Sequence, residues 1–122
     1  MPGVYPIRGQ VWIVKFPMPS KGGVQYKNRP AIVLCAASPD DTAGVIPVTP
    51  ITTIMNPATK FDIPVLKKTR AFHEMGLKRE SQILCAHVYS LSLTAFRHKI
   101  GEVGPAMLSK IEEKVRDLLF AD

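Results

Sequence analysis

The sequence predicts a mainly β protein: a small curled sheet or barrel of short strands, with one α-helix at the C-terminus. Three observations carry this expectation. Short β-branched or apolar runs recur along the chain, eleven prolines fall mostly between them, and the last segment places its apolar residues at helical spacing. Short runs separated by stiff turns read as antiparallel strands. A helix with one apolar stripe needs a sheet face to bury it.

The elements follow in order. Gln10–Phe16 is β-branched and aromatic after Gly9, and reads as the first strand, with Trp12 in the core. Pro17–Asn28 reads as a loop. Its two prolines deny it regular pairing, Gly22-Gly23 loosens it, and Lys21 and Lys27 make it basic. Pro30–Ala37 is apolar without alternation, which suits a central strand buried on both faces. Ser38–Ala43 is a turn, and Gly44–Val48 a third strand, with Pro47 limiting its pairing near the end. Phe61–Val65 and Gln82–Val88 read as the fourth and fifth strands. A helical turn around Leu93–His98 and a short strand at Ile100–Val103 come next. In Pro105–Phe120, Pro105 suits the first helical position. Met107, Leu108, Ile111, Val115, Leu118 and Leu119 form one stripe, read as core, and Glu112 and Arg116 stand at a supporting spacing.

Bulk properties bound the function. With 122 residues the chain fits one domain, taken as residues 1–122. Hydrophobic residues make up 46% and charged residues 21%, which excludes a disordered or collagen-like chain. The net charge of +6 favours an anionic partner: nucleic acid, an acidic protein or a membrane surface. No stretch approaches the ~18 apolar residues of a membrane span. Met1–Gly9 has no apolar core of signal-peptide length, so a cytosolic location is expected. Cys35 and Cys85 each sit in an apolar run and read as buried, reduced thiols.

Few residues stand out as candidates for chemistry. Arg29 precedes Pro30, which pushes it into an extended conformation where a basic segment meets a buried strand. A guanidinium fixed there can grip a phosphate; taken alone, it also reads as a surface ion-pair partner. Thr49 ends the third strand, and its hydroxyl could donate to a phosphate oxygen or bond its own backbone in a turn. Thr52 and Thr53 read as turn threonines. None of His73, His87 and His98 has a metal-ligand spacing to another His, Cys or Glu. His87 follows the apolar run Ile83–Ala86 and could act as an acid or base near neutral pH. The chain carries no phosphate-binding glycine loop, nucleophile elbow or dinucleotide fingerprint.

Five motifs in order give these residues a context. Gly9-Gln10-Val11-Trp12-Ile13-Val14-Lys15-Phe16-Pro17 resembles the opening strand of the MazF/PemK family of type II toxin–antitoxin toxins. Arg29-Pro30-Ala31-Ile32-Val33-Leu34 and Val45-Ile46-Pro47-Val48-Thr49 are similar to its next two strands. Gly76-Leu77, then Ser81-Gln82-Ile83-Leu84-Cys85, resemble a later one. Ile100-Gly101-Glu102-Val103 and a terminal amphipathic helix complete the pattern.

The resemblance implies an SH3-like barrel and a homodimer. It implies an endoribonuclease that cuts single-stranded mRNA at short sequences and is silenced by an antitoxin. Arg29 and Thr49 match the family's active-site pair. Pro17–Asn28 matches the mobile loop beside the RNA groove, so Lys21, Gln25, Tyr26 and Lys27 are expected to touch RNA, with Tyr26 as a stacking platform, and Ser81 of the later motif is expected to touch it too. Relatives carry an acidic residue and an amide where this chain has Ala86-His87. His87 is therefore the candidate proton acceptor. In such cleavage the RNA's own 2′-OH attacks the adjacent phosphate, leaving a 2′,3′-cyclic phosphate and a 5′-OH. No metal or cofactor is required; the protein positions the phosphate and neutralises developing charge. A basic toxin suits an acidic antitoxin segment. Two other readings stay open: a non-catalytic, CcdB-like topoisomerase poison on the same barrel, and an RNA- or DNA-binding module without catalysis.

Overall fold

A computed structural model describes residues 5–35, 44–53 and 60–120. The elements run β1 (Gln10–Ser20), β2 (Gly23–Val33), β3 (Val45–Thr53), β4 (Asp62–Val65), α1 (Arg70–Glu74), β5 (Ser81–Leu84), β6 (Tyr89–Ser92), a 3-10 turn (Leu93–Ala95), β7 (Phe96–Glu102) and α2 (Pro105–Phe120). All strand pairs are antiparallel, in the order β4-β5-β3-β2-β1-β7, with β6 on β3. The mainly β fold with a C-terminal helix is thus as expected. β4 and β7 end the sheet without pairing with one another, so it curls like a barrel but does not close. Among the described residues no helix is long and apolar enough to cross a membrane. The expected turn at Ser38–Ala43 lies outside the described residues.

The segment expected to be a loop is the outer half of a long hairpin. β1 and β2 pair without interruption from Val11↔Ile32 to Ser20↔Gly23, around the two-residue turn Lys21-Gly22. The prolines do not break it because of their parity. In a two-residue hairpin the pair flanking the turn exchanges hydrogen bonds, and pairs alternate from there. Pro17 and Pro19 fall at the non-bonded positions, where the backbone nitrogen points away from β2. Beyond Val14, β1 has no β7 partner, so that side is a free edge and a missing N–H costs no ladder bond.

β3 also differs from expectation. It does not stop at Val48 but runs to Thr53, changing neighbour midway. Val45–Val48 pairs with β6, and Ile51–Thr53 with β5. Pro47 is no obstacle: it lies opposite Ser90, and its carbonyl accepts from Leu34 N at 2.9 Å. β5 ends early at Leu84, where His87 N donates to the Leu84 carbonyl and turns the chain. β7 begins at Phe96, leaving only the 3-10 turn of the expected Leu93–His98 helical turn. α1 and β6 are elements the sequence reading did not anticipate.

Alternation along the central strands builds two cores. Val11, Ile32, Ile51, Ile63 and Ile83 face one side, where α1 contributes Phe72 and α2 contributes Ile111 and Val115. Trp12, Val14, Phe16, Ala31, Val33, Ile46 and Val48 face the other. β2 is therefore buried on both faces at its inner end, as its continuous apolar run predicts. Trp12 is core, its Nε1 donating to Gln10 Oε1 at 2.9 Å. The helical stripe is core only through Val115; Leu118 and Leu119 are exposed. Glu112 pairs not with Arg116 but with Arg8, through two guanidinium nitrogens. Cys85 is buried as expected, whereas Cys35, past the end of β2, is exposed.

Candidate nucleic-acid interface

The register of the sheet decides which threonine meets Arg29. β2 and β3 pair at Ala31↔Pro50, Ile32↔Thr49 and Val33↔Val48. Two residues further along, the same register sets Arg29 opposite Thr52. Strand residues of opposite parity face opposite sides. Arg29 and Thr52 share one side, and the Arg29 guanidinium Nη1 donates to Thr52 Oγ1 at 3.3 Å. Thr49 faces the other side. It is fully buried beside Ile32, and its hydroxyl donates to the Leu84 carbonyl at 2.8 Å. The expected Arg29–Thr49 pairing is thus not what the fold brings together; Thr52 stands where Thr49 was expected. Thr52 is also not a turn residue but a strand residue, paired on its other edge with the buried Gln82.

Around Arg29 and Thr52 opens a cleft of about 340 Å³ between β2, β3 and the segment leading into β5. Four cationic side chains line it, Lys27, Arg29, Lys78 and Arg79, together with the hydroxyl-bearing Thr52, Thr53 and Ser81. Among the described residues no carboxylate lines it. The neighbouring Glu80 instead accepts from the backbone N–H of Lys67 at 2.9 Å. The ion pairs Arg8–Glu112 and Lys99–Glu102 both lie outside the cleft. Four cations held together without a counter-charge are costly to leave empty and attract a polyanion. Two guanidinium groups, two ammonium groups and nearby hydroxyls form a donor set suited to phosphate oxygens.

The other expected site residues separate into two groups. Lys27 and Ser81 line the cleft with Arg29. Ser81 is buried, and its hydroxyl donates to the Arg79 carbonyl at 2.7 Å, so it braces the cationic segment. Lys21, Gln25 and Tyr26 are exposed on the projecting hairpin. Lys15 Nζ stands 4.9 Å from the Tyr26 ring centroid, a cation–π contact that orients the ring. His87 is not in the cleft. It is exposed beyond the C-terminal end of β5, whereas the cleft lies at the Ser81 end. Thr52, Lys78 and Arg79 were missed. The Thr52 signal existed, because Pro-x-Thr recurs in the stretch 47–52, as Pro47-Val48-Thr49 and again as Pro50-Ile51-Thr52. Among the described residues no group of three His, Cys, Asp or Glu side chains converges as metal ligands would.

Fold and site together define a class: a small basic antiparallel β protein with a cationic, hydroxyl-lined cleft at a strand-to-strand register point. The chain belongs to the PemK-like, MazF-like toxins of type II toxin–antitoxin systems, whose family model matches residues 7–119. Solved structures agree on the fold. MazF from Deinococcus radiodurans superposes with a TM-score of 0.72 at 22% identity, covering 96% of this chain and 98% of that one. The MazE–MazF complex from the same organism (Form-II) gives 0.70 at 21% identity, with 98% and 100% coverage. A mycobacterial endoribonuclease in complex with its cognate antitoxin gives 0.68 at 17% identity, with 96% and 97% coverage. Among curated proteins, none matches the chain.

Proposed function

We propose that this toxin is a metal-independent endoribonuclease of single-stranded RNA, with Arg29 and Thr52 at the scissile phosphate. The observation that carries the reading is the Arg29–Thr52 hydrogen bond at the floor of a cleft lined by four cations and no carboxylate. A solved neighbour described as an endoribonuclease supports it at the level of the family.

The roles follow from the geometry. An RNA strand laid in the cleft places a phosphate against the Arg29 guanidinium, with Lys27, Lys78 and Arg79 neutralising the phosphates on either side. The 2′-OH attacks the adjacent phosphorus, the P–O5′ bond breaks, and charge builds on the non-bridging oxygens. Arg29 and the Thr52 hydroxyl donate to those oxygens, and they do so most strongly in the transition state. His87 lies outside the cleft, so the 2′-OH proton passes to solvent base and the departing 5′ oxygen takes a proton from water. Cleavage should then rise with pH through neutrality with no inflection that depends on His87, and His87→Ala should keep wild-type activity. A bell-shaped profile lost in His87→Ala would overturn this assignment.

The toxin acts, on this reading, as a homodimer in the cytosol, under an acidic antitoxin segment that covers the cationic cleft. The neighbouring MazE–MazF complexes support an antitoxin partner. Exposed Leu119 and Phe120 at the end of α2 offer apolar surface to a second copy. The direct test is incubation with a long single-stranded RNA in excess chelator. Cleavage by the wild type, and its loss in Arg29→Ala with the fold intact, are expected. Full activity of Arg29→Ala would refute the assigned centre.

A further inference from the structure

A second, more enclosed slot of about 240 Å³ opens beside the cationic cleft. It shares Pro30, Leu77 and Lys78 with the cleft, so the two are continuous. Its floor is apolar: Ile13 of β1, Pro30 of β2 and Ile100 of β7. Leu77 forms a wall, and two polar side chains, Lys78 and His98, stand at its edge. Ile13 lies directly opposite His98 in the β1–β7 pairing, which places both on one face of the sheet.

The wall is held rigidly. Gly76 ends α1 with φ +71, and its N–H donates to the His73 carbonyl at 3.1 Å. A Cβ on Gly76 would lie 2.1 Å from the Ile100 carbonyl oxygen, and one on Gly101 would lie 2.3 Å from the Glu74 oxygen. Two glycines therefore let the α1 turn press directly on β7, and Leu77 and Lys78 follow from that fixed point. The space is smaller than the roughly 300 Å³ at which drug-sized pockets begin, and so suits one planar ring.

We propose that this slot holds a single unpaired base of the RNA next to the bound phosphate, and that it reads a keto base, uracil or guanine. This rests on the proposed nuclease reading. Apolar residues accept the flat faces of a ring. At the edge, the Lys78 ammonium can only donate, which favours a base offering carbonyl oxygens over one offering an amino group. His98 supplies a second hydrogen-bonding group that can match the remaining edge. The Tyr26–Lys15 platform lies on the same face of the β1–β2 hairpin as Ile13 and Pro30, so a strand leaving the slot meets it next.

Two measurements on the full chain test this. In the first, cut sites of wild type and His98→Ala are mapped on one long single-stranded RNA in chelator. The wild type should show U or G at one fixed position beside the cut, and His98→Ala should lose about tenfold of that preference while still cutting. In the second, the Ile13 and Ile100 methyl signals are followed by NMR in Arg29→Ala while short oligouridylate or oligoadenylate is added. Oligouridylate should shift both methyls more strongly and at lower concentration. Cutting with no U or G preference, or an unchanged preference in His98→Ala with both methyls unmoved, overturns the slot assignment and leaves the nuclease intact. Methyl shifts that follow protein concentration rather than RNA also overturn it. If the wild type cuts no RNA, the nuclease reading fails, and the methyl titration alone decides the slot.

Discussion

At the scale of the residue, two threonines three positions apart have opposite fates because strand parity sends them to opposite faces. On the proposed reading Thr49, buried and bonded to the Leu84 carbonyl, serves the fold. Thr49→Val removes one of the two donors to the Leu84 carbonyl, the other being the His87 N–H, which should cost about 1 kcal/mol in thermal or denaturant unfolding. RNA cleavage should survive. Thr52→Ala should instead lower the cleavage rate by about a hundredfold, in line with loss of one transition-state donor, at nearly unchanged stability. The reverse pattern would restore Thr49 to the centre. Arg29 was legible in the sequence because Pro30 fixes its backbone locally. The choice between Thr49 and Thr52 was not, because both stand in a Pro-x-Thr and only the pairing register tells the two apart.

Cys85 offers a pH test at the same scale. Burial pushes its thiol from an ordinary 9.0 up to about 11, with nearby Lys114 pulling it down and Asp62 adding to the rise. A raised value means that the native state holds the thiol proton more tightly than the unfolded chain does. This stabilising contribution is complete below the ordinary thiol value and is lost as pH climbs towards about 11. Folding stability should therefore fall with rising alkaline pH, less so in Cys85→Ala after allowance for the cavity. In the native protein at pH 8, a thiol reagent should label exposed Cys35 and spare Cys85; rapid native labelling of Cys85 would contradict the burial.

At the scale of the element, the β1–β2 hairpin and the α1–β7 junction position the chemistry. The hairpin carries Tyr26 on its solvent-facing part, 58% exposed, with Lys15 over the ring. Tyr26→Ala should weaken single-stranded RNA binding about tenfold, the size of one lost stacked base, and leave the melting temperature nearly unchanged. Equal affinity for the variant would remove the hairpin from the interface. Gly76→Ala acts on the junction. It forces a side chain into the left-handed region and against the Ile100 carbonyl, a change expected to cost at least about 2 kcal/mol.

These elements also explain which parts of the fold the sequence revealed. The strands and α2 announced themselves by β-branched runs and a helical stripe. The hairpin did not, because Pro17, Pro19 and Gly22-Gly23 are local breakers whose harmlessness depends on a free edge that exists only after pairing. α1 spans five residues, too few for a periodic signal. β6 is four residues long, and its buried Leu91 between exposed serines is a single alternation.

At the scale of the whole molecule, charge distribution matters more than its total. The net charge is +6, yet the cleft concentrates four cations where, among the described residues, no carboxylate lines the same space. RNA binding should weaken steeply with salt, with a log–log slope of about −3 if those four groups displace counterions at roughly 0.7 each. Lys78→Ala and Arg79→Ala should each flatten that slope by about 0.7. A slope near zero would place the RNA elsewhere. The basic charge was readable from composition. Its convergence was not, since Lys27 and Arg29 come from β2 while Lys78 and Arg79 come from the segment between α1 and β5, and only the fold joins them.

The end groups of RNA cut in excess chelator test the proposed nuclease centre most directly. Wild-type protein should yield products with 2′,3′-cyclic phosphate and 5′-OH ends, Thr49→Val should yield the same products, and Arg29→Ala and Thr52→Ala should yield almost none. Intact RNA with the wild type, or undiminished cutting by Arg29→Ala, would contradict it.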